Sequence, residues 1–162
     1  MDRARVLGLP REPAMGIPLT KFPQRYVGLS LPPTAWIGTT VDEQYRVKIA
    51  EEAFRKINDV KVKWLSLEPL LQPLKFNDLS MFDWVVIGSQ SATKQPTGYV
   101  KEFAPPFEWV ADIVTQARKA GCRIYMKPNL LGDNPNPQSP GMKLIQEVPD
   151  VPPLVRPQGG AA

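Results

Sequence analysis

Two residues of this sequence carry side chains that can transfer protons and stand at the ends of apolar runs. Glu68 follows the run VKWLSL, and Lys127 ends the run RIYMK. A carboxylate and an amine held together can act as a general base and a general acid, and a lysine can also anchor an anion. The same two side chains can instead form an ion pair that only stabilises the fold. We take Glu68 and Lys127 as the candidate catalytic residues and leave both interpretations open.

Other polar residues, and one glycine, follow apolar runs in the same way. Parallel α/β sheets bind ligands beyond the carboxyl ends of their strands. The candidate cofactor-binding residues at these ends are therefore Thr39, Asp42, Ser66, Gly88, Ser89 and Gln90. Asp42 can instead cap a helix, and Gly88 and Ser89 can form a simple turn. The pattern is far short of a complete G-x-G-x-x-G, so dinucleotide binding is not indicated.

The sequence contains no histidine and a single cysteine, Cys122. This excludes, within one chain, a zinc site of His and Cys ligands, a Ser-His-Asp triad and a histidine base. We predict no metal site formed by this chain alone. A lone cysteine cannot form an internal disulfide, and its position between a helix and a strand indicates a buried, inert thiol.

The overall composition is that of a small globular protein. A length of 162 residues and a hydrophobic content of 43% suit one compact domain. The net charge of +4 comes from scattered residues, so it permits a nucleic-acid or nucleotide substrate without indicating one. No apolar run approaches the roughly 20 residues that span a bilayer. The first residues, MDRARVLGLPREP, lack the apolar stretch of a signal peptide, so we expect no membrane association and a cytoplasmic location.

Strands are predicted where β-branched and aromatic residues concentrate. Such runs are Ala35–Val41, Val62–Glu68, Asp83–Ser89 and Arg123–Lys127, with a weaker candidate at Ile17–Thr20.

Helices are predicted where apolar residues recur at three- or four-residue steps. The first, Glu43–Asn58, would bury Tyr45, Ile49, Ala53, Phe54 and Ile57. The second begins after Pro105 and Pro106, ends before Gly121, and would bury Phe107, Val110, Ile113, Val114 and Ala117.

Strands that alternate with helices predict an α/β fold with parallel strands and right-handed crossovers. Four or five strands are too few for a closed eight-stranded barrel, which takes about 250 residues. The fold class we expect is therefore a partial (β/α) barrel with flanking helices and proline-rich ends, or else a small open sheet. A half-barrel would leave its inner sheet face uncovered. Residues 1–148 would form this single domain, and residues 149–162 a flexible tail.

Five segments in this order look like those of a known family. They are LTKFPQR (Leu19–Arg25), LPPTAWIGTTVDEQ (Leu31–Gln44), WLSLEPLL (Trp64–Leu71), DWVVIGSQS (Asp83–Ser91) and YMKPN (Tyr125–Asn129). Together they resemble the C-terminal half of a phage-associated, radical-SAM-like family of uncharacterised proteins, described as three-Cys-motif proteins. The resemblance runs from Leu19 to Lys127.

The resemblance implies a barrel whose N-terminal half carries cysteines for a [4Fe–4S] cluster that reduces S-adenosylmethionine. It also implies that later strand ends help to hold cofactor and substrate. On the matching positions of this sequence those residues are Lys21, Asp42, Glu68, Gly88, Ser89 and Lys127. This sequence departs from the pattern in two ways: the cysteine motif is missing, and Gln90 stands where the family often has a glutamate.

Three hypotheses follow. The chain is the C-terminal half of a split radical-SAM-like enzyme, which needs a cysteine-bearing segment or partner and binds no cofactor alone. Alternatively it is a non-catalytic half-barrel that binds a protein or nucleotide, or pairs as a homodimer to hide its inner face. A stand-alone enzyme that uses Glu68 and Lys127 for acid–base chemistry is the third.

Overall fold

A computed structural model describes residues 17–131 and 143–150. Most of the predicted tail, residues 151–162, lies outside the described residues, as do residues 1–16. In chain order the strands are β1 Leu19–Thr20, β2 Trp36–Thr40, β3 Val62–Leu67, β4 Trp84–Ile87, β5 Thr93–Gln95, β6 Gly98–Val100 and β7 Arg123–Met126. The helices are α1 Gln44–Phe54 and α2 Phe107–Lys119, with short 3-10 helices at Pro23–Tyr26 and Pro128–Leu131.

Five of these strands form one parallel sheet in the order β1-β2-β3-β4-β7. The α/β class and the parallel sheet are therefore confirmed, and the described strands form an open sheet rather than a closed one. The hairpin of β5 and β6 was not predicted, because β5 is polar and the two strands are only three residues each. Within the described ranges, no helix is long and apolar enough to cross a membrane.

Helix α1 differs from the prediction at its start and on its buried side. Its N-cap is Glu43, which makes no side-chain capping bond, and the N–H of Gln44 donates to Gln72 Oε1 instead, so the prediction that Asp42 caps this helix is wrong. Tyr45 and Ile49 are exposed rather than buried. The buried side includes Val47 and the carboxylate of Glu51, because a loop after β3 supplies backbone N–H donors to that carboxylate.

Helix α2 follows the prediction closely. Pro106 precedes its first turn, and Gly121 takes a left-handed φ of +79° just past its end. The backbone N–H of Cys122 then donates to the carbonyl of Ala117 at 2.9 Å, which satisfies a helix-end carbonyl. Phe107, however, is largely exposed rather than part of the buried face.

Both helices pack on the same face of the parallel sheet. Ile37, Leu65 and Ile124 on that face are fully buried and share one core cluster with Phe54 of α1 and Ile113 of α2. The helix-covered face is thus aliphatic, which is typical of strands sandwiched in α/β folds.

The opposite face, which we call the inner face, is packed by aromatic side chains. A second cluster joins Trp36, Val62, Trp64 and Val86 and contains no residue of either helix. Gly38 makes room for it: a Cβ atom there would lie 2.3 Å from the Trp64 indole. The predicted bare inner face is therefore largely filled by its own large side chains, with Trp64 only 8% exposed.

The outer edge of β7 is covered by an extended piece of chain, residues 144–150, which we call the edge segment. Gln146 forms an antiparallel bridge with Tyr125. The backbone N–H of Met126 donates to the Ile145 carbonyl at 2.7 Å, and that of Glu147 donates to the Ile124 carbonyl at 2.8 Å. β7 is thus paired on both sides.

Candidate functional site

Four of the predicted site residues lie side by side beyond the carboxyl ends of the strands. The ladder pairs Thr40 with Ser66. Residues two positions further along neighbouring parallel strands remain level and face the same way. The same register therefore sets Asp42, Glu68, Gly88 and Lys127 in one layer above the aromatic cluster. We call these four residues, with Lys21, the rim.

Glu68 and Lys127 form a direct ion pair. Their strands, β3 and β7, are not neighbours, because β4 lies between them. Gly88, just after β4, allows the contact: a Cβ atom at this position would be 2.9 Å from Glu68 Cγ and 3.3 Å from Lys127 Cδ. The glycine thus leaves space for the pair to close over the sheet.

A second ionic group lies at the end of β2. The Lys21 Nζ atom is 2.6 Å from Asp42 Oδ2, and the Arg46 Nε atom is 2.9 Å from Asp42 Oδ1. Burial alone would raise the pKa of Asp42, but the hydrogen bond from Lys21, the backbone bond and the charges of Lys21 and Arg46 lower it overall. Asp42 is therefore an anion at neutral pH and ties the residue after β1 to the start of α1.

Thr39 and Ser89 are not on the inner face, and their hydrogen bonds stabilise the fold. Thr39 is buried and its Oγ1 donates to the Thr20 carbonyl at 2.9 Å, which fastens β1 to β2. Ser89 exchanges two bonds with Asn129: its N–H donates to Asn129 Oδ1 at 3.1 Å, and Asn129 Nδ2 donates to its carbonyl at 3.0 Å. Among the described residues the buried Ser89 Oγ has no hydrogen-bond partner.

Ser66 lies within the sheet, whereas Gln90 lies beyond the end of its strand. Ser66 is level with Thr40 on the inner face and is buried. The backbone of Gln90 pairs with that of Phe103, and its Nε2 donates to the Lys101 carbonyl at 2.7 Å. Gln90 thus anchors the base of the β5–β6 hairpin.

The rim is charged but internally paired. The two lysines of the rim, Lys21 and Lys127, balance its two carboxylates, and Arg46, which contacts Asp42 from α1, adds one positive charge beside it. An anionic group of a ligand can replace a carboxylate partner, and an ammonium group can replace a cation, because each exchange conserves an ion pair. Neither Glu68 nor Lys127 stands free as a base.

Sequence reasoning missed Arg46, although a signal was present. Asp42 and Arg46 are four residues apart, the spacing at which an acid and a base meet at the start of a helix.

Cys122 is buried and lies before the amino end of β7, at the opposite end of that strand from Lys127. Burial raises the pKa of its thiol to about 11, and its Sγ donates to the Phe82 carbonyl at 3.1 Å. The prediction of a buried cysteine is confirmed. An open cavity of about 570 Å³ beside it is lined by Arg118, Arg123 and Glu147, so it too lies away from the rim.

A protein-family model described as "Protein of unknown function (DUF5131)" matches residues 10–132. No curated protein and no solved structure matches the chain.

Proposed function

The chain belongs to the DUF5131 family of proteins of unknown function, and we propose that it is the C-terminal half of a radical-SAM-like barrel. It works with a cysteine-bearing segment or partner that holds the iron–sulfur cluster. The radical-SAM component comes from the sequence resemblance, and the half-barrel component is supported by the topology.

One observation carries the half-barrel: the strands follow one another in sequence order across the sheet, and both helices pack on one face. Open doubly wound sheets reverse their strand order and place helices on both faces. Barrels keep the sequential order and place every helix outside, with inward side chains stacked in layers. Here the layer that contains Trp64 lies below Ser66, and the rim lies above Ser66. Side chains in a barrel interior are stacked in layers in the same way.

The described residues do not fit an iron–sulfur cluster. Cluster ligands are thiolates, whereas the Cys122 thiol is buried, protonated and remote from the rim. No group of three His, Cys, Asp or Glu side chains in residues 17–131 and 143–150 is arranged to hold a metal ion. The cluster therefore has to be supplied from outside this part of the chain.

The rim does suit a zwitterionic ligand such as S-adenosylmethionine, which would supply radical chemistry when bound with a reduced cluster. Its ammonium group matches the carboxylates Glu68 and Asp42. Its carboxylate matches the cations Lys21 and Lys127. The role of this chain is to bind and orient such a ligand, with the aromatic cluster as an apolar floor beneath it.

The test is anaerobic purification of the protein from its own source, followed by native mass spectrometry and iron and sulfide analysis. We expect a complex with a cysteine-rich chain that carries iron and sulfide and cleaves S-adenosylmethionine. In that complex Lys127→Met should lose cleavage, whereas Lys48→Met, at an exposed pair on α1, should retain it. A metal-free monomer or homodimer would contradict the proposal.

One observation favours a second candidate, a non-catalytic binding module. All charged rim residues are already neutralised by partners within the chain, which is how a structural rim is stabilised. Cleavage of S-adenosylmethionine by the reconstituted complex would exclude this candidate. Binding of a nucleotide or peptide by the metal-free chain alone would support it.

A further inference from the structure

No strand among the described residues pairs with β1 on the side away from β2. The N–H of Gly38 donates to the Pro18 carbonyl at 3.0 Å, and Leu19 is the residue level with Gly38. In a parallel ladder, a residue that bonds to the neighbouring strand does so through the two residues that flank the one level with it. The level residue points its own N–H and carbonyl to the other side. The N–H and carbonyl of Leu19 therefore point away from β2, toward the outer side of β1.

Apolar side chains are exposed around this edge. Twelve large apolar residues in the described ranges are more than a third exposed, and five of them lie within residues 17–29. These five are Ile17, Leu19, Phe22, Val27 and Leu29. Concentrated exposure of this kind marks an interaction surface, since isolated exposed apolar residues are ordinary. Leu19, level with Gly38, lies exposed on the inner face at this edge, whereas the aromatic cluster fills that face further along the sheet.

The opposite edge offers no such opening. Residues 145–147 already pair with β7, and the Glu147 carboxylate accepts two bonds from Arg118 at 2.8 and 2.7 Å. A second bidentate contact joins Arg123 to Asp150. In the part of the chain that the structure describes, a strand that extends the sheet therefore has one place to bind, beside β1.

We propose that the β1 edge, residues 17–22, binds a β-strand parallel to β1, supplied by the cysteine-bearing half. This inference rests on the proposed function and specifies where and in which direction that partner binds. Strand order rises from β1 to β7, so the strands that precede β1 in a barrel belong beside it. All four strand pairs of the sheet are parallel, and neighbouring strands in (β/α) barrels are parallel as well.

A second copy of the chain does not fit this edge in the same way. Parallel pairing sets a bonded residue of one strand opposite an unbonded residue of the other, so the two strands are not equivalent. A two-fold dimer requires equivalence, and therefore could pair two β1 strands only in the antiparallel direction. The direction of pairing thus distinguishes the partner half from a homodimer.

The experiment places a photo-cross-linking amino acid at Ile17 or at Phe22 in the protein expressed in its own source. Val148 is the matched control, because it is 47% exposed, as Leu19 is, and belongs to the opposite edge. We expect positions 17 and 22 to cross-link to one segment of the cysteine-bearing chain, with position 22 reaching the later residue. Leu19→Arg should lower recovery of that chain about tenfold or more, and Val148→Arg should leave it unchanged.

The outcomes separate the two proposals. A cysteine-bearing partner that co-purifies but cross-links in reversed order, or at position 148 instead, overturns the docking site and leaves the proposed function standing. Cross-links into a second copy of this chain also overturn it. If no cluster-bearing chain co-purifies at all, both proposals fail.

Discussion

The two edges of the parallel sheet are finished in opposite ways. Beyond β7, residues 144–150 add backbone bonds and two bidentate ion pairs. Beyond β1, the backbone of Leu19 points outward among exposed apolar side chains. Proteins protect edge strands because an open edge invites pairing. Within residues 17–131 and 143–150, only the β7 edge is protected in this way, so the sheet is directional: it is paired at that edge and unpaired at the β1 edge.

The largest change in stability is expected on the inner face, between the two edges. The contrast between the edges assumes that this face is filled by its own side chains. Gly38→Ala places a methyl group within 2.3 Å of the rigid Trp64 indole. We expect overpacking to lower the free energy of unfolding by about 1–3 kcal/mol. Urea unfolding followed by tryptophan fluorescence measures it. An unchanged midpoint would mean that the inner face is loosely packed and open to ligands or partners.

Removing the cap of β7 should make the two edges more alike. Glu147→Ala removes the contacts to Arg118 and leaves the N–H of Ile124, 2.9 Å from Glu147 Oε2, without its acceptor. Because the ion pair is partly exposed, we expect a loss of about 1–2 kcal/mol in unfolding free energy, seen as a fall in Tm. Glu52→Ala, at an exposed pair, is the control and should change stability by less than about 0.5 kcal/mol.

Low pH should destabilise the β1 side of the sheet, because it protonates Asp42. Its folded-state pKa is lowered, so the carboxylate stabilises the fold above the ordinary aspartate pKa of about 3.9. That contribution is lost as pH falls through the folded value. Asp42→Asn should flatten this dependence below about pH 4, as measured by urea unfolding at a series of pH values. If the unfolding free energy varied equally with pH in both proteins, the contacts of Lys21 and Arg46 with this carboxylate would not contribute to stability.

The smallest effect is expected at Gly88. A methyl group there meets the flexible side chains of Glu68 and Lys127 rather than a ring. The two side chains can move apart, so we expect stability to change by less than about 1 kcal/mol, with the ion pair opened. The Lys127 ammonium resonance, observed by NMR, should then lose its contact with Glu68. A loss as large as that of Gly38→Ala would mean that the rim is as tightly packed as the layer below.

The sequence indicated the strands well, because the central strands are rich in β-branched and aromatic residues. It also indicated the end of α2, because Gly121 is the residue type that a left-handed φ requires. It failed at Asp42, where a cap and an ion pair demand the same residue type. The tertiary contact to Lys21 decided between them.

The edge contrast was beyond the reach of the sequence. Ile17 and Leu19 resemble core residues by composition, and only their place in the sheet makes them exposed. Residues 144–150 carry no strand pattern, and they are held by contacts to Arg118 and Arg123 that are more than 20 residues away. The pairing of Glu68 with Lys127 also depended on Gly88, which leaves space between two strands that are not neighbours.

The most direct test of the directional edge is hydrogen–deuterium exchange of the chain alone and of the native complex. The predicted result is that the Leu19 amide exchanges at least about tenfold more slowly in the complex than in the chain alone. The exchange rates of the Met126 and Glu147 amides, which are already bonded, should be unchanged. Protection gained at residues 145–147, with none at Leu19, would contradict the account.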